Sequence, residues 1–256
     1  MNTMKRIIIL LTLLSVAGTQ TMAQSSWKAQ KRQLSSMSFT VANFSESLFG
    51  LSQADIMGMI SNPADRINMD DFRKADYFNT AMTGAYVNLN VGVAKQIRPG
   101  LLSELQLGVA LQTNGELMLD YEAGDWRDAE YEYLSLCYMN NRVGVSAGYK
   151  LRKLGRRSSF SYGPSVSLSK TFDDVVIFLG SSSRIGLDDT VEASSSTVSN
   201  INFAIDYGYR VVGNLALNIG ATYGATYFMS STNSNSLGHN YNISFGLEYQ
   251  FFRNWE

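Results

Sequence analysis

The sequence predicts an all-β protein, an antiparallel up-and-down barrel crossing a membrane with eight strands, and three observations carry that prediction. The first is strict alternation near the C-terminus. Tyr241, Ile243, Phe245, Leu247, Tyr249 and Phe251 interleave with Asn242, Ser244, Gly246, Glu248 and Gln250. Strand side chains point alternately to opposite faces, so one face of such a strand borders lipid while the other borders a wet lumen. The second is the N-terminus, where Lys5 and Arg6 precede the apolar run 7–14 and small residues lead to Thr21-Met22-Ala23. This predicts a secretory signal peptide over 1–23 and one mature domain over 24–256. The third is a regular exchange of short and long connections.

Composition sets bounds consistent with a barrel. The apolar run 7–14 is far below the roughly 20 residues that a helical span needs, and no later run approaches that length. A mean hydropathy of -0.09 fits a barrel, because only every second strand residue faces lipid. Removing 1–23 takes the formal charge from -1 to -3, which argues against nucleic acid as a partner. The single Cys137 cannot form an intramolecular disulfide, and we read it as a small apolar side chain.

The first strand is expected around Met37, Phe39 and Val41. A first external loop, 45–80, follows, bearing a short helix with Ser52 as N-cap and Ile56, Met57, Met59 and Ile60 on it, stopped at Asn62-Pro63. Next come Val87 to Val93, Leu105 to Leu111, one long strand over 131–151, and Phe160 to Leu168 with an inner face almost wholly of serine. Ile201 to Tyr209, Leu215 to Tyr227 and Tyr241 to Phe251 complete eight. Asn140-Asn141-Arg142 could divide the long strand, and Asp173-Asp174 the next, giving ten instead. The connections 97–100, 152–157 and 211–214 are short, whereas 45–80, 120–130, 173–199 and 230–238 are long. Short turns face the periplasm and long loops the exterior. Eighteen of the 22 acidic residues fall within 45–80, 116–132 and 173–192, so the external side is acidic, while the short turns carry Arg98, Arg152, Lys153, Arg156 and Arg157.

Ser244, Gly246, Tyr249 and Phe251 have the spacing polar-x-Gly-x-x-aromatic-x-aromatic, which resembles the C-terminal assembly signal of bacterial outer-membrane barrels. The mature chain resembles the small OmpA/OmpX-type barrels, and Gln24 after the cleavage site is similar to secreted proteins of Bacteroidota. The resemblance implies residence in the outer membrane, contact with its lipid and lipopolysaccharide, and handling by periplasmic chaperones and the barrel-assembly machinery. Asn62-Pro63-Ala64 also resembles a tripeptide of long-chain fatty-acid transporter barrels, and we read it as a helix stop.

An eight-stranded barrel has room only for its own side chains or one small ligand. Alternation turns Lys150, Asp206, Arg210 and Glu248 inward, where charges need partners, so a lumenal network of these four is expected to close the barrel. No catalytic residues, cofactor or metal ligands are assigned. His239 is the one histidine, and the resembling deacylase barrels place Ser two residues after their His, where Tyr241 stands. The acidic pairs Asp70-Asp71, Asp173-Asp174 and Asp188-Asp189 lack the ordered spacing of a calcium loop. The leading expectation is a non-enzymatic envelope barrel with a structural or loop-mediated binding role. The alternatives are a narrow channel or transporter for small solutes and a lipid-modifying enzyme.

Overall fold

A computed structural model describes residues 32–49, 53–68, 70, 72–74, 81–124, 132–181, 189–230 and 235–251. The expected signal peptide and the Ser52 cap lie outside them. The strands are β1 (Gln33–Phe49), β2 (Arg73–Lys74), β3 (Ala81–Arg98), β4 (Leu101–Ala123), β5 (Glu132–Leu154), β6 (Ser158–Ser181), β7 (Asp189–Glu192), β8 (Ser196–Val212), β9 (Leu215–Ser230) and β10 (Asn235–Gln250); helix α1 is Gln53–Met59.

Eight of these strands close a ring. Each of the long strands pairs antiparallel with its two neighbours in the cycle β1-β3-β4-β5-β6-β8-β9-β10, and β10 returns to β1 from Ser36 opposite Gln250 up to Phe49 opposite Leu237. Closure leaves no unpaired strand edge, which a bilayer requires. The ring has eight strands, not ten, and the two short extra strands are additions to the wall: β2 pairs with β4 and β7 with β6.

The outer surface is that of a membrane protein. Phe39 and Val41 on β1, Leu107 on β4, Val145 on β5 and the run Ile201, Phe203, Ile205, Tyr207 and Tyr209 on β8 are exposed, as are Leu217, Ile219 and Tyr223 on β9 and Tyr241 to Tyr249 on β10. A continuous apolar belt of this extent has no place in water, and with the polar lumen described below it marks an outer-membrane barrel.

The wall is uneven. β4, β5 and β6 run for 23, 23 and 24 residues, against 16 for β9 and β10, and a tilted transmembrane strand needs only about 9–11. The surplus of β4–β6 rises above the membrane on the external side. Parts of several expected loops are therefore strand: 45–49, 120–123 and 173–181 continue the wall, so the first external loop starts after Phe49.

Both places that might have been turns are one bulge. Asn140 on β5 faces Asp173 and Asp174 on β6, and the register shifts by one between Met139 and Asn141. Asp173 has φ 54°, a left-handed conformation that Asp tolerates better than most residues. β4 shifts likewise between Gln112 and Gly115. An extra residue reverses which side chains face inward. Below the bulges β4 and β6 turn Gln106, Gln112, Ser165 and Ser169 toward the lumen; above them they bury Leu117, Leu119, Tyr121, Val176 and Phe178.

Candidate functional site: the lumen, its floor and its plug

The lumen is built in three storeys, and the bulges set the boundary between the upper two. At the top, α1 lies inside the barrel mouth. Ile56, Met59 and Ile60 are wholly buried against Leu117, Leu119, Leu134, Leu136, Tyr138, Val176, Phe178, Val198 and Phe228. The Asn62-Pro63 stop has a physical cause: Asn62 Oδ1 accepts from the Ala64 amide and caps the 3₁₀ turn Pro63–Asp65. Arg66 then folds back, donating to the carbonyls of Gly58 and Ile60 at the end of α1, which satisfies orphan acceptors there. Backbone bonds hold the plug to the end of β7 and the segment after it: Ser61 N to Glu192 O at 3.0 Å and Ser194 N to Met59 O at 2.7 Å. That segment hangs on β6 through Ala193 N to Asp174 O, 2.8 Å.

Directly beneath the plug sits a buried ion pair. Arg142 Nη1 donates to Glu46 Oε2 at 2.7 Å, with side-chain exposures of 2% and 4%. Its Nε donates to Asn140 Oδ1, its Nη2 lies against Met82 Sδ, and its guanidinium lies 5.7 Å from the Phe44 ring centre. A charge so deep is tolerable only with its donors engaged.

The middle storey is a cavity of ≈ 190 Å³ lined by amides and hydroxyls, among them Asn88, Gln112, Asn202, Asn218, Thr222 and Asn242. Asn88 Oδ1, Gln112 Nε2, Asn202 Oδ1, Asn218 Oδ1 and Asn242 Oδ1 are buried without a protein partner. Polar atoms in a space of that size are met by water.

The floor is a cluster of charges. Arg152 reaches Glu104 at 2.9 Å and Glu248 at 2.5 Å, with the three side chains 3%, 0% and 1% exposed. Glu104 Oε1 accepts from Ser35 and Ser36 at 2.6 and 2.7 Å, and Glu248 Oε2 from Asn218 and Gln250. Gly92 leaves room beside it, because a methyl there would push against Glu104 Oε1 and the Ser35 and Ser36 hydroxyls. Nearby, Lys150 Nζ pairs with Asp206 Oδ2 at 2.5 Å, and Ser161 donates to the same oxygen. Under Arg152, Ala94 and Leu102 are fully buried against Leu154.

Of the four residues expected to form the network, the structure brings Lys150 and Asp206 together and places Glu248 in the floor. Arg210 is a correction: it takes part in none of these ion pairs, and its Nε is buried without a hydrogen-bond partner. Arg152 takes that place. The connection lengths place it in a short turn, but β5 continues to Leu154 and turns it inward. The reading also missed Glu104, Glu46 and Arg142. The signal for two of them was present: alternation from Lys150 by one further step reaches Arg152, and from Gln106 it reaches Glu104.

Of the assembly-signal residues Ser244, Gly246 and Tyr249 lie on β10 and Phe251 directly follows it; Ser244 borders the cavity, and Tyr249 faces outward with its ring 5.0 Å from that of Phe251 in edge contact. His239 is on β10, half-buried, its ring 6.1 Å from Tyr223. Among the described residues no three His, Cys, Asp or Glu side chains are grouped to hold a metal ion.

No protein-family model matches the chain, and no curated protein matches it in sequence. Solved structures of similar shape include Neisserial surface protein A, 14% identical over 84% of this chain and 97% of that one with a TM-score of 0.37. The outer membrane protein OprG from Pseudomonas aeruginosa is 9% identical over 88% and 99%, with a TM-score of 0.38. The outer membrane protease OmpT from Escherichia coli is 8% identical over 90% and 100%, with a TM-score of 0.29. At these identities and scores the likeness carries no argument about function, and the barrel stands on its own strand pairing and surface.

Proposed function

We propose that this is a closed, non-enzymatic outer-membrane barrel whose role is structural or is exercised by its external rim. The observation that carries the reading is the double seal: an apolar plug over the Arg142–Glu46 pair above, and the Glu104–Arg152–Glu248 cluster below. An ion crossing the lumen would have to part a desolvated charge cluster and then a dry helix. The rim supplies the partner surface. Asp65, Asp70, Asp173, Asp189 and Glu192 are exposed there, and such carboxylates share divalent cations with lipopolysaccharide phosphates without a dedicated site. The C-terminal residues Ser244, Gly246, Tyr249 and Phe251 serve the barrel-assembly machinery.

Conductance across a planar bilayer tests the seal. The purified protein should leave the bilayer non-conducting. Steady conductance from the unmodified protein would replace this reading with the second one, a narrow path for small polar solutes, which the amide-lined middle cavity favours.

A further inference from the structure

The two ends of the barrel differ in charge, and at the lower end the difference has a definite location. Among the described residues, the carboxylates at the periplasmic end are Glu104, Asp206 and Glu248, and all three turn inward to Arg152 or Lys150. The cations left outside them, Lys95, Arg98, Lys153, Arg156 and Arg157, are exposed. Among the described residues no acid forms an ion pair with any of them.

Three of the neighbouring side chains form a pattern on the lipid face. On β3 the outward series Val87, Leu89, Val91 and Val93 continues to Lys95; on β5 the outward series Val143, Val145 and Tyr149 continues to Lys153. The strand between them, β4, sets Ser103 opposite Lys95, and Leu101 opposite Lys153. Strands are about 4.8 Å apart, so the two lysines stand on either side of β4, offset by the two residues from Ser103 to Leu101, and their flexible stems can bring both ammonium groups toward Ser103. At that position Ser103 Oγ donates to Tyr149 Oη at 2.9 Å. With Ser103 as the donor of that bond, the phenol O–H is left to donate outward. Two cations and one hydroxyl donor at the foot of an apolar belt match a phosphodiester whose acyl chains lie along that belt.

We propose that the outer face of β3, β4 and β5 at the periplasmic end holds the headgroup of an anionic glycerophospholipid of the inner leaflet between Lys95 and Lys153, with Tyr149 as a third donor. Zwitterionic lipid offers the same phosphate but adds a cation that the two lysines repel. The site therefore discriminates by charge.

The full chain, refolded into nanodiscs of equal phosphatidylglycerol and phosphatidylcholine, should release in native mass spectrometry with phosphatidylglycerol preferentially retained. Lys95→Gln with Lys153→Gln should lower that preference roughly 25-fold, about fivefold per lysine. Arg156→Gln with Arg157→Gln removes the same charge from the turn beyond the belt and should change it less than twofold. Tyr149→Phe should lower it about threefold while leaving the ring in place. Equal retention of both lipids by the unmodified protein would overturn the proposal. So would a turn pair that lost as much preference as the lysine pair, since diffuse charge would then account for the effect. Folding of each variant is read from heat-modifiable gel mobility, and the unmodified protein with Tyr149→Phe decides the matter if a lysine variant fails to fold.

Discussion

The mouth and the floor of the lumen close the same tube by opposite means. The mouth is dry: Ile56, Met59 and Ile60 fill it against Leu117, Leu136, Tyr138 and Phe178. The floor is charged, with one guanidinium shared by two carboxylates that also take hydroxyl and amide donors. The difference follows from what supplies each seal. The plug comes from a connecting segment that must find its seat, and non-directional apolar contact suits a docking element. The floor residues project from strands already locked in register, where fixed directions favour charge-assisted hydrogen bonds. The floor should therefore fail together with the barrel, while the plug can fail alone.

Breaking the floor should have the largest effect. Arg152→Met leaves Glu104 and Glu248 buried with no counter-charge and should cost about 3–5 kcal/mol of barrel stability, measured by urea unfolding in detergent. Adding Glu104→Gln and Glu248→Gln should restore most of that loss. A single variant costing under about 1 kcal/mol would mean that the floor is hydrated.

The wall shared by both seals ranks next. Ile219 is on the lipid face, and Ile219→Arg should cost roughly 2–4 kcal/mol near the midplane. Thr222 lines the lumen, and Thr222→Asn should be nearly silent. Equal effects in a folding titration into vesicles would put the facing of β9 in error.

Ile60→Ala should cost about 2–3 kcal/mol, and the comparison predicts where it appears. Limited proteolysis of 53–68 should accelerate while the barrel's own unfolding midpoint stays in place. A matching fall in that midpoint would show that the mouth and floor are one cooperative unit.

A pH effect should be smaller and confined to the mouth. Above the bulge at Asp173, β6 has left the lipid belt, and burial pushes the Asp174 carboxyl up to about 6 from 3.8. Its Oδ2 accepts from Thr171 at 2.6 Å, with Tyr138 and Arg142 of β5 and Asp173 beside it. A raised carboxyl favours the folded state when protonated. Its contribution is present at pH 4 and below, then falls as pH rises toward 6. Amide exchange at 193–194, where the plug is hung, should accelerate over that interval, and Asp174→Asn should remove the change. An unchanged profile in that variant would acquit Asp174.

The smallest effect on stability should come from the last strand, with a large one in cells. Tyr249→Ala with Phe251→Ala removes one edge-to-face pair, worth about 1 kcal/mol, so refolding yield in detergent should stay near that of the unmodified protein. If these residues are read by the assembly machinery, the same variant should accumulate unfolded in the periplasm. Normal surface expression would leave them a structural role alone.

Much of the floor was legible in the chain, although only part of it was read. Of the four acidic residues outside the three acidic stretches, Glu104, Asp206 and Glu248 are the three that pair in the lumen. A carboxylate within an alternating strand must either face the lumen or meet lipid, so alternation alone points each inward. The plug was legible as a helix from Ile56 to Ile60 and its Asn62-Pro63 stop, but its seat was not.

By itself the sequence determined where the membrane-crossing strands run and which of their faces meet lipid, because a period of two is a local property of the chain and survives any arrangement of neighbours. Only the tertiary structure decided which charges meet and what fills the mouth. Arg142 and Glu46 are 96 residues apart, as are Arg152 and Glu248, and ring closure and register, not sequence spacing, bring each pair together. The upper core depended on the bulges at Gln112–Gly115 and Asp173-Asp174. One extra residue in each strand reverses its inward face, and it turned segments that read as acidic loops into the buried seat of the plug.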